Sequence, residues 1–384
     1  MNSARIYLDH NATTPLRPEA LALMQRYFSE HFGNASSLHA FGHAARAGLE
    51  EARAHLAAAL GCASAEIHFT SGGTEADNWA LMGSAALRGP GRIVTTAIEH
   101  HAVLHTCRHL EGLGCEVCLV QPDRRGWVDP GAVEARLDEH TILVSVMHAN
   151  NETGVLQPVA QIGQLARRRG IPFHVDAVQS FGKVPVQVDQ LGADLVSVSA
   201  HKLNGPKGVG ALYVRAGTRL APWTHGGGHE GGLRAGTENI AGIAGFGKAA
   251  QLALEEQPER QPVLEALRNR LEADILGAVD GVQVNGQGAL RLSNTLNLSI
   301  EGVQSEALLL GLDLEGVAVS SGSACSAGGQ EPSHVLLAMG LDRRLAAGSL
   351  RFSLGWGSTA AHIERVVDLL PGLVRRLRDL AGGA

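Results

Sequence analysis

The sequence predicts an α/β protein: a large domain with a mostly parallel sheet covered by helices on both faces, and a smaller α+β domain toward the C-terminus. Two patterns lead there. From about residue 45 to 215, strand-like runs alternate with helix-like runs, the signature of βαβ crossovers. Beyond about residue 259, one long amphipathic stretch is followed by a second, shorter set of strands and helices.

Taken in order, apolar residues at helical spacing predict a helix over 44–60, closed by Gly61. Residues 66–70 read as a short strand and 75–87 as the next helix. Strands follow at 92–96, 141–147, 171–175 and 194–199, with helices over 101–113, 130–138 and 159–169 between them. A helix over 259–277, rich in Arg and Leu with Pro262 near its start, opens the smaller domain. Then come a strand over 294–300, a helix over 305–312, a strand over 316–320 and a final helix over 359–381. The large domain is placed at residues 15–259, and the small one at 1–14 together with 260–384.

Composition narrows the functional classes. Of 384 residues, 45% are hydrophobic, so extensive disorder is out. A formal net charge of −6 argues against a general nucleic-acid or membrane-surface binder, which carries a basic excess. No apolar run approaches the roughly 18 residues that span a bilayer, and the first residues lack the apolar core of a signal peptide. The expectation is a soluble, cytoplasmic protein. Five cysteines, an odd number, fit a reducing compartment better than a disulfide framework. Of the 32 basic residues only four are lysines, Lys183, Lys202, Lys207 and Lys248, so each bears inspection.

In an open parallel sheet, ligands collect outside the carboxyl ends of the strands. Strand 66–70 runs into Thr70-Ser-Gly-Gly-Thr-Glu75 and then a helix, the make-up of an anion cup in which unpaired N–H groups face a ligand. An ordinary N-cap by Ser71 or Thr74 would read the same way. Strand 92–96 leads to Glu99-His-His101 and strand 141–147 to His148-Ala-Asn-Asn-Glu152. Strand 171–175 leads to Asp176 and Gln179, and strand 194–199 to Ser199-Ala-His-Lys202. One sheet edge thus gathers an anion-binding turn, an imidazole, amides, a carboxylate and a lysine. That set meets the needs of pyridoxal 5′-phosphate. Its aldehyde takes a lysine amine, and its pyridine nitrogen takes a carboxylate that keeps it protonated so that the ring withdraws electrons. Its phosphate takes backbone and hydroxyl donors. Lys202 closes a strand, whereas Lys207 sits five residues on in a Gly/Pro loop and is the weaker competitor.

Metal binding is the rival reading for a chain with 18 histidines. His101, His105 and His109 share a helix face, yet no His-Glu-x-x-His or paired Cys-x2-Cys occurs. The cysteines of Cys115-Glu-Val-Cys118 would face opposite sides of a strand. No metal site is expected. Four of the cysteines lie in apolar or regular segments, where thiols are inert. Cys325 differs, standing in Ser320-Ser-Gly-Ser-Ala-Cys-Ser-Ala-Gly-Gly329, where small neighbours leave a nucleophile accessible.

These residues fall within motifs that resemble, over nearly the whole chain, the cysteine desulfurases of the NifS/IscS type, in the class V aminotransferase group of fold-type-I pyridoxal-phosphate enzymes. In chain order the first motifs are Tyr7-Leu-Asp-His-Asn-Ala-Thr-Thr-Pro15, Phe32-Gly-Asn-Ala-Ser36, Thr70-Ser-Gly-Gly-Thr-Glu75 and His148-Ala-Asn-Asn-Glu152. Then follow His174-Val-Asp-Ala-Val-Gln179, Ser199-Ala-His-Lys202, Arg234-Ala-Gly-Thr237, Ser320-Ser-Gly-Ser-Ala-Cys325 and Arg351-Phe-Ser-Leu-Gly355. The chain departs from the pattern at Ala200, where Gly is common, at Gly231, where Arg is frequent, and at His10, where Tyr or Asn often stands.

The resemblance implies a homodimer that removes sulfur from L-cysteine, leaving L-alanine and a persulfide on Cys325. The sulfur passes to an acceptor protein such as an iron–sulfur scaffold, or into thiolation. By the same resemblance, Lys202 carries the cofactor and moves the substrate Cα proton, Asp176 pairs with the pyridinium, and Asn151 and Gln179 contact the phenolic oxygen region. His100 stacks on the ring and is a candidate base for the thiol. Gly73, Thr74, Ser199 and His201 hold the phosphate, joined by the partner subunit's Thr237. Arg351, with Asn34 nearby, takes the substrate carboxylate through its guanidinium. Cys325 is the nucleophile, in a loop over about 320–331, and at most touches an iron–sulfur cluster in transfer. The alternative is a selenocysteine lyase or another class V enzyme.

Overall fold

The computed structural model describes residues 5–321 and 331–382, so Cys325 and the residues next to it lie outside the described residues. Among the described residues the strands form three sheets. The largest has seven strands in the order Ile67–Thr70, Gly210–Val214, Leu195–Ser199, Phe173–Asp176, Thr141–Met147, Arg92–Thr96 and Glu116–Val120. Gly210–Val214 runs antiparallel to both neighbours; the remaining pairs are parallel.

Apolar runs such as Leu195-Val-Ser-Val, buried throughout, suit a sheet covered on both sides. Successive residues divide between two cores, as the two-residue period of a strand requires. Val94, Val144 and Val196 join the core under the helices Ala40–Leu60 and Val159–Arg168. Ile93, Leu143 and Leu195 join the core under Gly73–Arg88 and His101–Gly112. Cys118 packs against the first core and Cys115 against the second, on opposite sides as expected.

A second body is built on the antiparallel sheet Ser320–Ser321, Ser349–Ser353, Thr295–Ile300 and Val282–Val284, with Ile6–Tyr7 pairing Val317–Ala318 beside it. Its core takes Leu296, Leu298, Phe352 and, from the final helix Ala360–Gly382, Ile363, Val366 and Leu370.

Most element boundaries fall within two or three residues of the expected ones. One difference is large. The helix expected at 259–277 is the C-terminal half of an unbroken helix, Ile240–Ala278, that contains both Pro258 and Pro262. Proline removes a backbone donor and strains a helix interior, but here burial at both ends outweighs that. Ile243, Phe246 and Ala250 lock the first half into the large core, and Leu264, Leu271 and Ile275 lock the second into the small one. The change of core therefore falls between Ala253 and Leu264, inside a helix rather than at a linker. The helix Pro18–Ser29 and the strands Gly210–Val214 and Ser349–Ser353 carry no strong periodicity and were not foreseen. Among the described residues no helix is long and apolar enough to cross a membrane.

Candidate active site

The parallel strands all end on one side, where they wall a cavity of about 610 Å³. Ten of the residues singled out in the sequence line it: Gly73, Thr74, His100, Asn151, Asp176, Gln179, Ser199, His201, Lys202 and Arg351. Two do not. Asn34 is exposed and spends its Oδ1 on the Ser36 N–H at 2.8 Å, closing a local turn. Thr237 is exposed in the loop before Ile240–Ala278. Lys207 reaches the cavity from an exposed position, whereas Lys202 stands in the short helical turn that directly follows the Leu195–Ser199 strand.

One end of the cavity is built for an anion. The helix Gly73–Arg88 begins after Gly72 without a side-chain cap, so its first N–H groups remain available. A Cβ at Gly210 would come within 2.7 Å of the Gly72 backbone, and this glycine-on-glycine contact lets the helix start sit against the sheet edge. Glu75 braces the turn, accepting from the Ser71 N–H at 2.8 Å and pairing with Arg234 at 2.9 Å. Ser199 Oγ is buried and has no hydrogen-bond partner among the described residues. His201 Nδ1 lies 3.2 Å from Thr13 Oγ1, and burial with nearby Lys202 lowers this imidazole to about 4, so it is neutral.

The floor is acidic. Asp176, 5% exposed, takes one hydrogen bond, from the Val178 N–H at 2.9 Å, and burial raises it to about 6 against the opposing pull of that bond and of Lys202. Beneath it His174 bridges Ser145 Oγ and Ser197 Oγ, each at 2.9 Å, and burial lowers it to about 3. Asp77 Oδ1 lies 3.6 Å from His174 Nε2, and burial plus the charge of Asp176 push Asp77 well above the carboxylate range. His100 accepts the Ala102 N–H on Nδ1 at 3.1 Å, which places its hydrogen on Nε2. Burial and Lys202 lower His100 to about 4, so it presents a neutral ring. A buried acid, a lysine and an uncapped helix start with an orphaned hydroxyl are the groups that pyridoxal 5′-phosphate requires, and the residues present fit it.

Lys202 and Gln179 meet at Asn11, which is 1% exposed. Lys202 Nζ donates to the carbonyls of Asn11 and Ala12. Gln179 Nε2 donates to the same Asn11 carbonyl at 2.9 Å. Arg351, 2% exposed, donates to Asp9 at 2.7 Å and to the Asn151 carbonyl at 3.0 Å, while its Nε has no partner among the described residues. The described residues on either side of 322–330 are held by contacts of their own. Ser320 pairs with Arg351 across the small sheet, Ser333 Oγ donates to Glu152, and His334 Nε2 lies 3.0 Å from the Glu99 carbonyl.

Asn11, Asp77, Asp9 and Lys183 were not singled out as site residues in the sequence. Asn11 and Asp9 belong to the Tyr7–Pro15 motif, which was the available signal. Among the described residues no three His, Cys, Asp or Glu side chains are placed to hold a metal ion. Cys62 and Cys107 are pushed up to about 12 by burial, and so are poor nucleophiles.

A model of the aminotransferase class-V family matches residues 6–366. The cysteine desulfurase IscS of Dictyoglomus turgidum is 48% identical over 378 residues, covering 98% of this chain and 96% of that protein. Among solved structures, a NifS-like protein superposes with a TM-score of 0.89 at 37% identity, covering 99% of this chain and 100% of its own. SspA, solved in complex with cysteine, superposes at 0.81 with 36% identity, covering 91% of this chain and 98% of its own. With a family match over most of its length and relatives this similar, the chain belongs to the aminotransferase class-V family, in its cysteine desulfurase branch.

Proposed function

We propose that this protein removes sulfur from L-cysteine with pyridoxal 5′-phosphate as cofactor, releasing L-alanine and leaving a persulfide on Cys325. One observation carries the reading. Lys202 and Asp176 line a single cavity, with an uncapped helix start and the orphaned Ser199 hydroxyl in its wall. When bound, the cofactor supplies an aldehyde for amine substrates and an electron-withdrawing ring.

The chain's own residues do the rest. Lys202 binds the cofactor through Nζ and afterwards takes the proton from the substrate Cα. Asp176 would hold a proton on the ring nitrogen, a role that would add a partner to a buried carboxylate on which Lys202 and the Val178 N–H already act. Gly73, Thr74, Ser199 and His201 would hold the phosphate, Asn151 and Gln179 the phenolic oxygen region, and the neutral His100 ring the cofactor ring. Arg351, which lines the same cavity, orients the substrate carboxylate through its guanidinium. The Cys325 thiolate forms a bond to the substrate sulfur as the Cβ–S bond breaks, and the three-carbon skeleton leaves as L-alanine once Cβ gains a proton.

The exposed Thr237 serves the site of a partner subunit, and the enzyme works as a cytoplasmic homodimer that hands sulfur to an acceptor such as an iron–sulfur scaffold. The test is to supply L-cysteine and quantify alanine and enzyme-bound persulfide in wild type and Cys325→Ala. Sulfur transfer undiminished in the variant rejects Cys325, and no alanine from the wild type rejects the activity.

A further inference from the structure

Lys183 follows the Phe173–Asp176 strand by seven residues and is 9% exposed. Its Nζ donates to Asn11 Oδ1 at 3.1 Å and to Gln179 Oε1 at 3.0 Å. Both are neutral amide oxygens, and among the described residues no carboxylate bonds it. Asn11 also serves Lys202: its carbonyl accepts from Lys202 Nζ and from Gln179 Nε2. One asparagine therefore stands between the two amines, with Gln179 bonded to both Lys183 and that asparagine.

This arrangement has two effects. A lysine nitrogen donating to Gln179 Oε1 fixes the orientation of that amide, so its NH2 faces the Asn11 carbonyl on the cavity wall rather than flipping. The second effect is electrostatic. The charged groups acting on Lys183 are Lys202, Arg351 and Arg260, and together with burial they push it well below the usual lysine range. His10, also beside it, is lowered to about 4 and neutral. Asp176 carries a charge opposite to that of Lys202, while His100 and His201 are neutral. The buried Lys183 and the half-buried Lys202 share Asn11, and two amines this close do not both hold a proton easily, so their titrations are linked.

We propose that Lys183 is a positioning residue for the reactive lysine: it locks the Gln179 amide and, as a second basic group buried behind Lys202, favours the uncharged form of the Lys202 nitrogen. A lysine made reactive by a neighbouring cation is an established device. Here the inference rests on Lys202 being the residue that carries the cofactor.

The test is spectroscopic and uses the holoenzyme without substrate. The visible absorbance of the lysine-linked cofactor is followed against pH in wild type, Lys183→Gln and Lys183→Arg. The glutamine variant keeps a donor and removes the charge, and its midpoint rises by about one pH unit. The arginine variant keeps the charge and titrates near wild type. A glutamine variant at the wild-type midpoint overturns the proposal, as does an arginine variant that shifts equally. Should Lys183→Gln fail to load or fold, wild-type holoenzyme labelled with ¹³C at lysine Cε replaces it, four lysines making assignment tractable. Borohydride reduction leaves a basic secondary amine at Lys202 and lowers the Lys183 midpoint; an unmoved midpoint overturns the proposal. Absence of any borohydride-sensitive band removes Lys202 itself, and the inference with it. A normal band that ignores Lys183 removes only the inference.

Discussion

Asp176→Asn separates what the acid costs the fold from what it does for the cofactor. Burial raises this carboxyl from 3.8 to about 6, a shift of about two units, or about 3 kcal/mol at 1.36 kcal/mol per unit. The sign follows from linkage. Its folded value lies above its unfolded one, so the native state holds the proton more tightly. The wild type is therefore least penalised below pH 4, loses stability as pH rises from about 4 to 6, and carries the full penalty above that. Asparagine never ionises, and its Oδ1 still accepts the Val178 N–H. The cofactor-free variant should be more stable at pH 8 by about 2 kcal/mol, after roughly 1 kcal/mol for the buried amide NH2 is subtracted. At pH 5 the electrostatic part should shrink to about half. Cofactor binding should move the other way, weakening by roughly 10- to 150-fold for one lost charge-assisted hydrogen bond. Urea denaturation of the cofactor-free proteins at both pH values and equilibrium dialysis of the cofactor measure the two arms. A variant less stable than wild type at pH 8, or a gain independent of pH, refutes the burial argument. Unchanged cofactor affinity refutes the pairing with the ring.

Lys202→Ala should abolish borohydride-fixable cofactor and lower alanine formation by roughly 10³-fold or more, read in a single-turnover assay. Arg351→Lys keeps the charge but loses the planar fork. It should raise KM for L-cysteine by roughly 10- to 100-fold and leave the cofactor absorbance unchanged. Arg53→Met leaves the carboxylate of Glu230 buried without the guanidinium that it meets at 2.9 and 3.0 Å. The cost should be about 3–5 kcal/mol in urea denaturation, and adding Glu230→Gln should recover part of it.

What the sequence disclosed was the part of the site carried on local contrast. Asp176, Lys202, His100 and the Gly73–Thr74 turn each interrupt an apolar strand or open a helix, and a polar residue at such a junction stands out. Arg351 was placed by resemblance alone. It projects from a strand, Ser349–Ser353, whose position depends on pairing with Thr295–Ile300, and its partner Asp9 is 342 positions away. Asn11 and Lys183 left no local signal, because an asparagine in a loop and a lysine after a turn are ordinary until the fold buries them 172 positions apart in the same contact. The prolines at 258 and 262 misled for a related reason. Local propensity argues for a break, while two cores recruit both halves of the same helix.

Apart from Glu75, which Arg234 and the Ser71 N–H hold below the usual carboxylate range against the effect of burial, the shifted groups in and around the cavity share one tendency that bears on how the enzyme is stabilised. Asp77, Asp176, Glu99 and Glu152 are all raised, and Lys183, His100, His174 and His201 are all lowered, with burial the first cause in each. Each of these shifts works against the charged form, so the fold leaves these groups under strain as ions, while Arg351–Asp9 and Arg234–Glu75 are paired internally. Such an interior is unfavourable by itself, yet it would suit the proposed cofactor, which brings its own charges: Asp176 would hold its ring nitrogen and the Gly73 helix start its phosphate. Each charge then finds an opposite partner at fixed geometry, in a place where water does not compete. Because the cofactor binds the native state and not the unfolded chain, the penalty built into the empty site is offset on loading. The polar misfits of the cavity and the stability of the loaded enzyme are therefore two sides of one electrostatic design.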